Sequence, residues 1–542
     1  MNRSGSTACA ENQQPHAVYR AMVIGLSCLV FLLPTGACSR DQAAGTVTNG
    51  TARRPNFLLY VTDTLRADSL GCYGNPTVET PTLDALAAKG VLFERAMAPS
   101  SWTRASMASI LTGLYPTAHH TAERLAQMPD VPRLTELLRR NGYRTASFTT
   151  NPNTAAFWGF RPSFDFFEQF GEWEDKTRVA SKELKVPSDE LHAAIAQWLD
   201  SHADDKPFFV VALAIDPHAP YDPAAEFDRY GDPGYRGPIR PGIGPRGMNR
   251  EDLRPADKAR LRSLYDAEVA YNDHTLGQLL EHLQSSGRAD NTIVVCTSDH
   301  GEEFWEHGTR GHGKALYVES VHVPLIWYDP TRADGGVRVA RPVSTVDIIP
   351  TMLAEAGLSV PDWAQGRPLF DDLPEPRAVY SELSLDGHTI WAVYLHPWHL
   401  IWNEELGQEA LFNMDDDPAQ RHNVVTAHPK ERTRLRDLLD DHLHASRKLG
   451  DDISSGRVLR SQDEIPQSMS RQLRGLGYAG DDEEDARETE PLQTEPNPAD
   501  GGASSSPETP AESQVVADPP NENAVDPSPP SDQPLDRSHG LG

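Results

Sequence analysis

The sequence predicts an α/β fold: a layered sandwich around a largely parallel central sheet, with a smaller α+β subdomain behind it. Three observations carry this. Unbroken apolar runs at 57–61, 208–215 and 293–296 have the pattern of strands buried on both faces. Helical stretches lie between the runs, an alternation that builds parallel βαβ units. After about Leu373 the texture changes to closely spaced strands followed by a helix, which suits a separate subdomain.

Along the chain, residues 1–38 read as an export segment. Arg3 and Arg20 precede a 13-residue apolar run at 21–33. A bilayer-spanning helix needs about 20 residues, so the run suits a signal-peptide core. LLPTGAC then sets Cys38 after Gly36 and Ala37, which resembles the lipobox of bacterial lipoproteins, although Thr35 stands where Leu is usual. The implied product is an exported protein at the periplasm or cell surface, anchored to a bacterial membrane through lipid on Cys38. The alternative is cleavage near Ala37 and release. Residues 39–54 are small and polar and read as a tether.

The folded part follows. A helix at 82–89 ends at Gly90. Met107, Ile110, Leu111 and Leu114 fall at i, i+3, i+4 and i+7, one apolar face of a helix beginning near Thr103. Further helices are expected at 189–201 and 256–285, and another buried strand at 323–328. The Gly-, Pro- and Arg-rich stretch 231–255 reads as a surface loop. Strands at 391–395 and 399–403 flank a His-Pro-Trp turn as a hairpin, and a helix follows at about 429–447. The main domain is set at 55–372 and the C-terminal subdomain at 373–480. From Asp481 onward Pro, Ser, Glu and Asp dominate, and such a composition cannot bury a core, so 481–542 is expected to be disordered.

The formal net charge is −29, and the 481–542 tail contributes −14 of it, with 16 acidic residues against Arg487 and Arg537. That balance excludes nucleic acid as a general partner. The five cysteines, Cys9, Cys28, Cys38, Cys72 and Cys296, give neither a metal-ligand pair nor a disulfide framework. Cys72 and Cys296 read as small core residues.

Chemistry gathers where the apolar runs end. Asp63 follows the first, in YVTDTLRAD. Asp216 and His218 follow the second, in AIDPHAPY. Asp299, His300 and Glu302 follow the third, in VVCTSDHGEE. Open α/β sheets bind ligands at the carboxyl ends of their strands, so three strands deliver acids and imidazoles to one edge. Carboxylates with an imidazole suit a divalent cation such as Mn²⁺, Zn²⁺, Mg²⁺ or Ca²⁺. Any one of these acids alone is more often a helix cap or turn residue; their recurrence is the signal.

The blocks NFLLYVTDTLRADSLGCYG, TPTLDALAAKGVLFERAMAPSS, TRASMASILTGLYPTAHH, SDHGEEFWEHGTRGHGKALYVESVHVPLIWY and STVDIIPTMLAEAGL occur in one order. With ALFNMDDDPAQRHNVV and the closing RQLRGLGYAG, they resemble the sulfatases of the alkaline phosphatase superfamily from about Pro55 to Gly480. That resemblance implies an alkaline-phosphatase-like three-layer α/β/α sandwich.

It also implies roles, position by position. Typical sulfatases carry C-x-P-S-R before A-x-L-x-T-G and oxidise the Cys to formylglycine. Here Thr103 holds the nucleophile position, Ala105 that of the Pro and Met107 that of the Arg, so the formylglycine route is closed. Thr at this spacing resembles the nucleotide pyrophosphatase/phosphodiesterases, and phosphoethanolamine transferases also use Thr. Asp299-His300, where many sulfatases have Asp-Asn, resembles phosphatases, phosphodiesterases and phosphonate monoester hydrolases. Thr64 stands where many sulfatases have a second Asp. The implied ligand set is Asp63, Asp299 and His300, with Thr103 as the fourth. Asp216-Pro-His218 lacks the spacing of a second site, which leaves one metal.

His218 and Lys314 resemble the family's sulfate- or phosphate-contacting residues, and His312, in GHGK, is a further candidate ranked behind them. They would stabilise transition-state charge or protonate the leaving oxygen, with amides at the start of the Thr103 helix favouring the transferred anion. Several other residues have plainer readings. Asp273-His274 is structural, His307 a loop residue, His119-His120 capping or packing, 157–173 core, and 415–417 a turn.

The leading expectation is therefore hydrolysis of sulfate or phosphate esters at one divalent metal ion. Thr103 and His300 favour phosphorus, and the overall blocks favour the sulfatase branch. A second class is a transferase moving a phosphoryl head group to a cell-envelope acceptor, although such enzymes usually carry several membrane spans. A third is a binding protein that lost turnover, motivated by Thr64, Ala105 and Met107. Joint retention of Asp63, Thr103, Asp299, His300 and Lys314 argues against it.

Overall fold

The computed structural model describes residues 53–170, 185–332, 335–372, 376–453, 457–458 and 464–478. The export segment with Cys38, the tether up to residue 52, residues 171–173 of the aromatic stretch and the acidic tail lie outside the described residues.

Eight strands form the central sheet: β1 (Asn56–Thr62), β2 (Val91–Phe93), β3 (Arg144–Thr149), β4 (Phe166–Gln169), β5 (Phe208–Ala214), β6 (Thr292–Ser298), β7 (Leu325–Tyr328) and β8 (Val337–Val339). Their order is β8-β2-β7-β6-β1-β5-β3-β4, and β7 alone runs against the rest. The unbroken apolar runs have a simple cause. On β1, Phe57, Leu59 and Val61 pack on one face with Met107, Ile110 and Leu111 of helix α2 (Thr103–Thr112). Leu58 and Tyr60 pack on the other with Leu83 of α1 (Pro81–Lys89), Leu191 of α3 (Ser188–Ser201) and Leu264 of α4 (Pro255–Ser285). Helices cover both faces, so the expected three-layer sandwich is present.

The 323–328 run divides. His322–Val323 pairs with Ala96–Met97 in a separate small sheet, whereas β7 joins the central one. Pro324 lies at the break. It has no N–H to give a ladder, and its carbonyl accepts from Thr297 Oγ1 at 2.8 Å instead.

In the same compact unit, four strands form an antiparallel meander: β9 (Val379–Leu385), β10 (His388–Leu395), β11 (Trp398–Asn403) and β12 (Gln408–Asn413). Helix α5 (Pro429–Ile453) lays Leu435, Leu439 and Leu443, one face at i, i+4 and i+8, on Val393, Leu400 and Leu411. Each such leucine contributes roughly 1.5–3 kcal/mol relative to exposure. A last helix, α6 (Gln467–Gly475), returns to the main core through Met469 and Leu473. Among the described residues, no helix is long and apolar enough to cross a membrane.

Several plainly read residues hold the scaffold. Asp417 N–H donates to the Asn413 carbonyl in the turn after β12. The buried His119 bonds to Ser109 Oγ at 2.9 Å. Asp273 of α4 caps α1 from outside, accepting from Thr82 N at 2.9 Å and Leu83 N at 2.8 Å. Asp273→Ala leaves both amides without a partner and should lower stability by about 1–2 kcal/mol in urea unfolding, with metal binding unchanged. A loss of metal affinity in this variant would contradict the structural reading.

Candidate active site

The sheet register explains why the chemistry converges. Thr62 pairs with Ala214 on one side and Ser298 on the other, so Asp63, Ile215 and Asp299 leave the sheet at one level. Asp63, Asp299 and His300 are wholly buried, and one donor atom from each lies within 4.8 Å of the others. Asp299 is fixed by amides, its Oδ1 accepting from Thr64 N at 3.1 Å and His300 N at 2.8 Å. Thr64 sits at φ +57°, a left-handed conformation that a β-branched residue rarely adopts, and so marks local strain beside the cluster.

Two acceptors stand out: Asp63 Oδ1 and Asp299 Oδ2 are buried and receive no hydrogen bond. Burial, and then the charge of Asp299, push the Asp63 carboxyl well above its ordinary range. Two carboxylates enclosed together without compensation are unfavourable, and a cation between them removes that cost. The donor set, two carboxylates and an imidazole, therefore fits a divalent ion.

Thr103 opens α2, and Ser106 one turn on anchors the helix by donating to the Asp299 carbonyl at 2.5 Å. Thr103 Oγ1 lies 3.1 Å from His300 Nε2. His300 Nδ1 faces the Gly301 carbonyl at 2.9 Å, so Nδ1 carries the proton and Nε2 offers its lone pair to the threonine hydroxyl. Burial holds this imidazole below its usual value, in the neutral form that such an exchange needs.

His218 meets the cluster by a different route. Its Nδ1 donates to the Ala219 carbonyl, which leaves Nε2 buried and without a partner. Burial, and then His312, hold it well below its ordinary value. Asp216, at the same strand end, turns away: it accepts from Ser188 N at 2.9 Å and Oγ at 2.7 Å and pairs with Lys185 at 3.0 Å. It buttresses the His218 loop and takes no place in the cluster, so two of the three strand ends supply ligand candidates.

His312 emerges in a stronger position than GHGK alone suggested. Its ring lies 4.5 Å from that of His300 and 5.0 Å from that of His218, and Nδ1 donates to Glu302 Oε2 at 3.0 Å. Burial raises Glu302, but His312 and then Arg310 outweigh it and bring the carboxyl down to about 2. Lys314 is half-buried two residues further on and, among the described residues, makes no hydrogen bond or ion pair. Met107, in the family's Arg position, is core. Arg104, beside Thr103, stacks its guanidinium on Trp158 at 3.3 Å and donates to Asn153 Oδ1 at 2.8 Å. His307 also has a partner, stacking on Tyr317 at 3.6 Å. Cys72 is half-buried and Cys296 buried; burial and then Asp84 push the Cys72 thiol up to about 12, so it is unreactive.

Two site residues escaped the sequence reading. Asn151 follows β3 and donates Nδ2 both to Asp63 Oδ2 and, at 2.7 Å, to the hydroxyl of Tyr478. The strand-end rule that singles out Asp63 applies to Asn151 equally, but an amide carries no metal signal. Tyr478 follows α6; its hydroxyl lies 3.3 Å from Thr103 Oγ1, and its ring lies 4.8 Å from that of His218 and 5.3 Å from that of Trp102. It belongs to RQLRGLGYAG, a block whose resemblance carries no chemical role.

Comparison with known proteins agrees with this architecture. The sulfatase family model matches residues 55–358. An ulvan-active sulfatase of Formosa agariphila is 27% identical over 495 residues, covering 82% of this chain and 92% of its own. An arylsulfatase of Clostridium perfringens is 25% identical over 451 residues, 70% of this chain and 92% of that one. Among solved structures, the phosphonate monoester hydrolase of Agrobacterium radiobacter superposes with a TM-score of 0.61 at 24% identity, covering 75% of this chain and 97% of that chain.

Proposed function

Because this chain belongs to the sulfatase family, we propose that it hydrolyses sulfate or phosphorus esters with Thr103 as nucleophile. The observation that carries the proposal is the placement of Thr103 Oγ1, 3.1 Å from His300 Nε2 and against the buried Asp63–Asp299–His300 cluster. Asp63, Asp299 and His300, with Thr103 as the fourth ligand, would hold one divalent ion. When bound, that ion supplies Lewis acidity, which lowers the pKa of a coordinated hydroxyl and offsets anionic charge on the substrate.

The chain's own groups do the rest. Amides at the start of α2, ahead of a helix ladder that begins with Ser106 N donating to Trp102 O, would favour the transferred anion. Lys314, without a carboxylate partner among the described residues, is available to a substrate oxygen. His312, held by Glu302, can protonate the leaving oxygen, because the carboxylate fixes its tautomer and supports the imidazolium. His218, neutral and with Nε2 open, suits the opposite role of taking a proton from the attacking water. Thr in place of Cys leaves a direct ester on Thr103 as the intermediate, and this, together with His300, favours phosphorus esters over sulfate.

The test is a substrate panel on protein lacking residues 1–38, loaded in turn with Mn²⁺, Zn²⁺, Mg²⁺ and Ca²⁺. p-Nitrophenyl phosphate, bis-p-nitrophenyl phosphate and a phenylphosphonate ester should turn over faster than p-nitrophenyl sulfate. Faster sulfate turnover would reverse the preference and keep the mechanism. No turnover with any metal would favour a binding protein.

A further inference from the structure

Arg104 is a buried charge that the proposed chemistry leaves unused. It is 1% exposed, and a guanidinium can only donate hydrogen bonds. Its acceptors are all neutral: the Arg124 carbonyl, the Ala126 carbonyl at 3.3 Å and Asn153 Oδ1 at 2.8 Å. The face of Trp158, 3.3 Å from the guanidinium carbon, offsets part of the cost of burial. Arg124 on the same cavity wall pairs with Asp386, whereas no carboxylate among the described residues pairs with Arg104. A cation enclosed in this way is unfavourable until an opposite charge joins it.

The hydrogen bonds around it point the same way. Four buried donors have no protein acceptor: Arg104 Nε, Asn153 Nδ2, and the indole Nε1 of Trp102 and of Trp158. The orientation of the Asn153 amide is forced, because its oxygen faces the donor-only guanidinium. All four residues line one cavity of about 20 Å³, and no acidic residue lines it with them. That is room for a single particle of about water size, too little for a tetrahedral oxyanion. A water has two lone pairs to offer four donors, and it brings no charge. A monatomic anion accepts from several directions and supplies the charge as well.

We propose that Arg104, Asn153, Trp102 and Trp158 form a binding site for one chloride ion next to the nucleophile. Trp102 immediately precedes Thr103, and Tyr478, which also lines the cavity, lies 3.3 Å from Thr103 Oγ1. The ion would thus back the two rings that flank the threonine. The site is distinct from the Asp63–Asp299–His300 cluster, none of whose residues lines the cavity. It stands whichever group attacks the substrate.

The test is thermal unfolding of the full chain as sodium chloride replaces sodium gluconate at constant ionic strength, in the parent and in Arg104→Met. The parent's Tm should rise saturably, by roughly 1–2 °C at ten times Kd, and Arg104→Met should show no saturable rise. Unspecific salt effects are common to both proteins and cancel in the comparison. Crystals of the parent soaked in sodium bromide give a second measurement that needs no variant. An anomalous peak in the cavity lined by Trp102, Arg104 and Trp158 is the expected result. No saturable rise in the parent, an equal rise in Arg104→Met, or water instead of bromide in the cavity would each overturn the site. Should Arg104→Met fail to fold, the bromide peak, present or absent, decides alone.

Discussion

Thr103→Ala should reduce ester hydrolysis by on the order of 10⁴–10⁶-fold, the scale seen when a covalent nucleophile is removed from an otherwise intact site. The residual rate would come from charge stabilisation and positioning alone. Thr103 is wholly buried at the start of α2, so alanine fits the space and leaves the helix in place. Stability should therefore change little beyond one lost hydrogen bond, about 0.5–1.5 kcal/mol. Thr103→Ser should restore a large part of the rate, because the oxygen returns while one methyl contact is lost. Rates of both variants on the panel's best substrate decide the matter. Activity in Thr103→Ala within tenfold of the parent would move the nucleophile elsewhere, first to a water.

Removing the divalent ion should be the second large effect, visible in stability as well as rate. A ligand that binds only the folded state stabilises it by about 2.7 kcal/mol at a hundred times its Kd. The pH dependence has a definite sign. Asp63 in the folded, metal-free protein is pushed above its ordinary range, so it keeps a proton that the unfolded chain has released by about pH 4. Metal-free stability should thus fall as pH rises from about 4 through the raised folded value. A bound cation takes that proton's place, so the melting-temperature gap between metal-loaded and EDTA-treated protein should widen from pH 5 to pH 8. A gap independent of pH, or none, would remove Asp63 from the ligand set.

Much of this molecule was legible before its coordinates. The apolar runs point to β1, β5 and β6 because those strands are covered on both faces, and periodicity points to α2. The ligand candidates were legible because acids at strand ends are chemically conspicuous. What stayed hidden shares a property: its meaning depends on partners distant in sequence. Asp216 looks like Asp63 until Lys185 and Ser188 are seen to hold it. His312 gains its place from Glu302. Pro324 divides a run whose hydrophobicity is continuous. Tyr478 has no signal at all without Thr103 beside it.

The contact between Thr103 and Tyr478 joins positions 375 residues apart. The pocket wall beside the nucleophile therefore closes only through a contact between segments far apart in the chain, and such long-range contacts form slowly because they must first offset loop-closure entropy. The wall beside Thr103 thus depends on the late helix α6, whose Met469 and Leu473 are themselves part of the main core.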